Sequence, residues 1–245
     1  MRRSIPVLLL VLASAPTCAA DTGAPLHLTR SWRLSLDAAG HVAGLDGDRE
    51  LDPAIRVPLE QAIRRWEFEP GRVAGEPAPT ETTLTLDVTF DAAPDGNYVA
   101  HVDDARVGGT IDFKPGKMAP PRIPRDAVRI GLVARVVVKA EYDGDGRIVS
   151  VQPQREEGLN SLPSLERATV NAVKRWTVVP ERVGGHGVAS SVMVPICFTV
   201  TRGLRAPDFD CTWTPPGTRT RVGDGSAYAL QPSAKLLSDV IGHAL

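Results

Sequence analysis

A tryptophan followed four residues later by proline occurs twice in this 245-residue chain, at Trp66–Pro70 and at Trp176–Pro180. The two instances lie 110 positions apart, and their surroundings keep that offset. Ile63-Arg64-Arg65 precedes the first and Val173-Lys174-Arg175 the second. Val73 falls on Val183, Gly75 on Gly185, and the segment 82–90 on 192–200. Upstream, Gly40 falls on Gly146 at an offset of 106, so the second copy holds four extra residues between turn and helix. A shared order of hairpin, helix, Trp-x-x-x-Pro, glycine and strand restricts the chain to two small units built on one plan.

Each unit reads as α+β. Trp32, Leu34 and Leu36 alternate with Arg33 and Ser35, the period of a half-buried strand over 26–36. A turn at 38–41 and extended chain over 42–45 complete a hairpin. Asp52-Pro53 starts a helix, because Asp caps free N–H groups and Pro at the first position loses no bond. Ile55, Leu59, Ile63 and Trp66 then recur on one face. Pro58 either kinks this helix or begins it. Leu84, Leu86, Val88 and Phe90 share one face of a strand over 82–90. The pattern weakens afterwards, with a short extended piece over 98–102 and then Gly108-Gly109.

The second half repeats the plan with a clearer signal. A short helix over 125–130 precedes a β-prone run over 132–142. Asp143-Gly144-Asp145-Gly146 is a strong hairpin turn, and Ile148, Val149 and Val151 continue the second arm. The segment 159–163 leads into a helix with Leu165, Thr169, Val173 and Trp176 on one face, and 190–200 is the last strand. Leu236, Leu237, Val240 and Ile241 have helical spacing, which predicts a short terminal helix over 234–244. The expected architecture is two tandem small domains, each an antiparallel sheet with a helix packed on one face. An acidic repeat spans 21–112 and a basic domain 125–203. A linker over 113–124, stiff with four prolines, joins them, and a tail runs over 204–245.

Residues 1–20 read as a cleavable secretory signal. Arg2 and Arg3 form its charged start, 7–13 its apolar run, and small residues near Ala20 suit cleavage before Asp21. An uncleaved anchor is the alternative, although the apolar run is far short of the ~20 residues a spanning helix needs. The mature chain is thus expected in the periplasm. There the remaining cysteines, Cys197 and Cys211, are candidates for a disulfide, the alternative being two unpaired thiols. Two thiols without a nearby histidine fall short of a metal-ligand set.

Charge separates the halves. Residues 21–112 hold 8 basic and 17 acidic residues, whereas 113–203 hold 14 basic and 8 acidic. Either these are two solvated surfaces, or the copies attract each other, or the basic copy meets an acidic partner. The overall balance, −1, gives no reason to expect nucleic acid.

Chemistry-bearing patterns are missing. The five histidines, at 27, 41, 101, 186 and 243, are not at ligand spacing. There is no phosphate loop, GxSxG or HExxH. Asp143 and Asp145 begin like a calcium loop, but Gln154 stands where a bidentate Glu is needed. No enzymatic activity, cofactor or metal is expected. Trp66 and Trp176 read as core packing, and Gly146 as turn chemistry.

Residues 121–200 resemble the C-terminal domain of TonB, the periplasmic energy transducer. The features that carry this are Ile123-Pro124 before a short helix with Ala127, then Gly131, the 143–146 hairpin and Leu162/Leu165. Arg175-Trp176, Pro180, Gly185 and the closing Val-Pro-Ile-Cys-Phe strand complete the pattern. The resemblance implies a last strand whose exposed edge accepts an extended peptide, the plug segment of an outer-membrane transporter, by strand addition. The implied edge here is 190–200, with Val192, Val194, Ile196 and Phe198 on one face and Met193, Pro195 and Cys197 on the other. Pro195 suits an edge, because a central strand would lose a ladder bond there. The leader, the short linker and the tail favour a periplasmic binding module. A membrane-anchored transducer, or a self-pairing assembly protein that forms a homodimer, are the other readings.

Overall fold

The computed structural model describes residues 25–47, 49–92, 98–154, 162–200 and 209–245. The expected leader, Glu156-Glu157 and the start of the 159–163 helix lead-in lie outside the described residues. In chain order, the first unit comprises β1 (Leu26–Leu36), β2 (Val42–Asp46), α1 (Pro53–Ile63), β3 (Phe68–Glu69), β4 (Arg72–Val73), β5 (Glu76–Pro77) and β6 (Thr80–Ala92). β7 (Tyr98–Gly108) and β8 (Thr110–Ile111) follow β6, and α2 (Arg125–Ile130) opens the second unit. The second unit continues with β9 (Val133–Tyr142), β10 (Ile148–Gln154), α3 (Pro163–Val173), β11 (Val178–Val179), β12 (Arg182–Val183), β13 (His186–Gly187) and β14 (Ser190–Thr199). The tail adds β15 (Tyr228–Ala229) and β16 (Lys235–Leu236).

The chain is α+β with antiparallel sheets. One sheet orders its first-unit strands β2-β1-β6, and the other orders the second-unit strands β10-β9-β14. α1 and α3 are each 11 residues long and start on proline. Asp52 caps the first through Ala54 N at 2.8 Å, and the helix runs on through Pro58. The apolar stripe of each helix covers its sheet. Trp32, Leu34, Leu59, Ile63, Trp66, Leu84 and Leu86 share one core, and Val138, Leu165, Val173, Trp176, Val192 and Val194 share the other.

The recurrent glycine and Trp-x-x-x-Pro stitch each hairpin turn to the strand after the helix. Phe68 N–H donates to Gly40 O at 3.1 Å, and Val178 N–H to Gly146 O at 2.9 Å. Both glycines have positive φ, +90° and +78°. A Cβ would lie 1.8 Å from Phe68 O at Gly40 and 2.0 Å from Val178 O at Gly146. Only glycine combines that backbone with that approach.

The units are joined by backbone pairing. β12 continues the first sheet by pairing with β6, Arg182 opposite Glu81 and Val183 opposite Thr80. β8 pairs with β11, which carries Ile111 into the second core although the expected linker begins only at 113. Glu181 is only 2% exposed at this junction. Its carboxylate accepts from Thr82 Oγ1 at 2.7 Å and from the Ser233 and Ala234 N–H groups.

Two expectations change. The weak extended piece over 98–102 is an 11-residue strand, β7, paired with β6 along ten residues. Its charged sequence hides the strand, because Arg106 Nη1 is paired locally with Asp87 at 2.8 Å and Asp104 at 2.6 Å. The terminal helix over 234–244 does not form. Lys235 and Leu236 instead pair with Glu69 and Phe68, and 242–245 bond along β7 through Gly242 N to Val102 O and Leu245 N to Ala100 O. Tertiary pairing of the tail outweighs the helical spacing of its apolar residues.

Candidate functional site

β14 is built by alternation. Val192, Val194, Ile196 and Phe198 face the core under α3, while Met193 faces the other side with Val137, Trp213 and Val222. On one side β14 pairs with β9 without interruption from Ser190 opposite Tyr142 to Thr199 opposite Val133. The backbone groups of alternate residues point the other way. Ser191 O accepts from Leu230 N at 3.0 Å and Pro195 O from Gly225 N at 2.8 Å. Cys197 N–H donates to Asp224 Oδ1 at 2.8 Å. Pro195 therefore omits its N–H from the outer edge, and the ladder to β9 is untouched.

The outer edge of β14 is not open, as the resemblance implied, because the tail lies along it. β15 pairs Ala229 with Val192 and Tyr228 with Met193. Val192, Met193, Val194, Pro195, Ile196 and Phe198 are all buried. The first unit shows the same event on a larger scale. The outer edge of β6 is filled by β12 at Thr80 and Glu81, then by β7 from Thr83 to Ala92. The physical reason is common to both: a bare edge leaves backbone donors and acceptors unpaired, and nearby chain pairs with them.

Cys197 and Cys211 form a disulfide that ties the tail to β14. Around it Asp210 accepts from Thr212 Oγ1 at 2.7 Å and from Arg221 Nη2 at 2.7 Å. The Thr212 hydrogen bonds, with Arg221 and Arg135 nearby, hold the Asp210 carboxyl below its ordinary value. Arg135 donates to Thr212 O. On the outer face of β9, the Lys139 ammonium keeps the Glu141 carboxyl low.

Trp66 and Trp176 lie in the two cores, and Trp176 Nε1 donates to Ala119 O at 2.8 Å. Asp143 Oδ1 accepts from Asp145 N and Arg147 N, so it serves the turn. His27 bonds to Thr89 Oγ1 at 2.7 Å across paired strands. Among the described residues no group of three or more His, Cys, Asp or Glu is placed to hold a metal ion, and no helix is long and apolar enough to cross a membrane. Sequence reasoning missed Glu181, which a Pro-Glu-Arg run does not distinguish from a solvated carboxylate. It also missed 224–230, whose Asp-Gly-Ser-Ala-Tyr-Ala-Leu alternation is too short and small to signal a strand.

The second unit is thus a small α+β module whose last strand pairs inward along its whole length and takes an extended segment on its outer side. Residues 119–200 match the family described as Gram-negative bacterial TonB protein C-terminal. The chain is 27% identical over 94 residues to Protein TonB of two strains of Xanthomonas campestris pv. campestris, covering 38% of this chain and 41% of theirs. It is 33% identical over 93 residues to Protein TonB of Pseudomonas aeruginosa, covering 37% of this chain and 26% of that one. The chain therefore spans well under two thirds of the length of these relatives. No solved structure matches it.

Proposed function

We propose that this chain is a non-catalytic, periplasmic protein-binding module of the cell envelope. Its second unit takes an extended segment of a protein partner by strand addition at the outer edge of β14. The observation that supports this most is that the edge already receives an extended segment, antiparallel and in register. The first unit is read as a degenerate copy whose equivalent edge is closed by β7. The two edges differ in how firmly they are held. Ten paired residues close β6, whereas two paired residues and four further hydrogen bonds to the tail close β14, beside the Cys197–Cys211 disulfide. The second edge is the exchangeable one. The resemblance to TonB points to a plug segment of an outer-membrane transporter as the partner.

Position-specific photo-crosslinking in the envelope tests this. A crosslinker at Thr199, exposed at the end of β14, should trap a protein partner, and Met193→Pro should abolish the product. Proline at 193 removes an outward N–H, whereas at Val192 or Val194 it would break the ladder to β9. Trapping of the same protein at the same yield from Val149, 66% exposed on the opposite sheet edge, overturns the reading.

A further inference from the structure

The segment 224–230 follows β14 with a regular alternation. Ala227 and Ala229 pack toward the core shared with Val192 and Val194. Tyr228 lies on the opposite face beside Met193 and meets Trp213 edge-on, with ring centroids 6.3 Å apart and planes at 81°. The Asp224 carboxylate caps the Cys197 N–H, and Gly225, at φ +70°, turns its own N–H onto Pro195 O. These contacts cover the edge from Ser191 to Cys197.

Both flanks of this segment are anchored independently of it. Before it, the Cys197–Cys211 disulfide, a Trp213–Val222 bridge and the Arg106 bond to Arg221 O hold the chain. After it, Glu181 accepts from Ser233 and Ala234, and Lys235 and Leu236 pair with β3. Lifting 224–230 breaks few bonds and leaves both anchors in place.

We propose that 224–230 is an internal competitor for the β14 edge, and that its chemistry describes the partner segment that displaces it. This rests on the proposed strand-addition site. The partner is an extended peptide antiparallel to β14. It has small apolar side chains at two alternate positions, an aromatic residue between them, and a carboxylate four residues before the aromatic. The small residues fit the closely packed side under α3. The aromatic meets Trp213, and the carboxylate meets the free N–H of Cys197. Because the competitor is tethered, its effective concentration is in the ~mM range, so a partner with equal contacts binds only weakly until the segment is loosened. Apparent affinity falls in proportion to the open fraction.

The test uses the full chain and a fluorescent peptide copying residues 222–231. Peptide anisotropy is compared between the wild type and a Gly225→Val/Leu230→Pro variant. The valine disfavours the positive φ and the proline removes the N–H bonded to Ser191 O, while the disulfide and both anchors remain. Native packing is checked by near-UV circular dichroism. Asp224→Ala, which removes one bond without touching the backbone, is the second variant and stands in if the first is not folded. The loosened variant is expected to bind the peptide at least about tenfold more tightly than the wild type. Replacing the peptide's tyrosine with serine should remove the gain. Equal, measurable affinity for both proteins overturns the competition and leaves the strand-addition site standing. No binding by either protein up to ~1 mM peptide overturns the site as well.

Discussion

Replacing Glu181 with alanine should loosen the whole molecule, although the residue lies in neither hydrophobic core. Its carboxylate is 2% exposed and accepts from a first-unit hydroxyl, Thr82, and from two tail amides, Ser233 and Ala234. Alanine leaves three donors without a partner, two of them buried and one half-buried, and each buried donor costs about 1–3 kcal/mol. Removing a buried charge also removes its own desolvation cost, which offsets part of that sum. The expected net loss is roughly 3 kcal/mol, within the range of a broken buried network. Glutamine keeps one acceptor oxygen and should lose about half as much. Urea unfolding followed by tryptophan fluorescence measures both. A double-mutant cycle with Thr82→Val isolates the hydroxyl bond, expected at about 1.5–3 kcal/mol for a charge-assisted pair. A Glu181→Ala protein within about 0.5 kcal/mol of wild type would refute the reasoning, because only an exposed or redundant group behaves that way.

Four further outcomes follow from particular contacts. Trp176→Ala should cost about 3–5 kcal/mol in chemical denaturation, the usual range for a large buried aromatic. Gly146→Ala should destabilise by about 2–4 kcal/mol in the same assay, because the new Cβ meets Val178 O and the φ is positive. Cys197→Ser with Cys211→Ser opens a loop of sequence separation 14 and should cost about 3 kcal/mol, read as a shift in unfolding midpoint. Burial pushes the Tyr142 phenol up to about 12. Its neutral form is favoured in the folded state, so the stability it contributes is full below about pH 10 and is lost as pH rises through about 12. Tyr142→Phe should flatten that alkaline decline by roughly 2 kcal/mol, visible in thermal melts between these pH values.

Much of the fold was legible in the residues because it rests on local rules. Alternation at Trp32, Leu34 and Leu36 reports a half-buried strand, and Asp52-Pro53 reports a helix start. The Asp-Gly-Asp-Gly run reports a hairpin, and each needs only neighbours within a few positions. β7 was underestimated because its partner, β6, rather than its own side chains makes it a strand, and because the Arg106–Asp87–Asp104 cluster looks like solvated surface. The terminal helix was expected from spacing alone. Spacing records which side chains are apolar, while the tail's backbone found better partners in β3 and β7. The candidate site was legible as a strand, down to which residues share a face. Its occupancy was not, because the segment that covers it begins 25 residues beyond the end of β14 and carries no strand signal of its own.

The sequence by itself determined the main helix and hairpin positions, the glycines that permit each turn, and the alternation along 190–200. These follow from backbone conformation and hydrophobic period, which act over a few residues. Only the tertiary structure decided that the units share a continuous sheet, that Glu181 is a buried junction, and that both outer edges are paired by the chain itself. Those outcomes depend on which unpaired N–H and C=O groups come within reach after collapse. A two-residue ladder and a carboxylate cap are enough to occupy an edge that the residues of β14 alone would leave open.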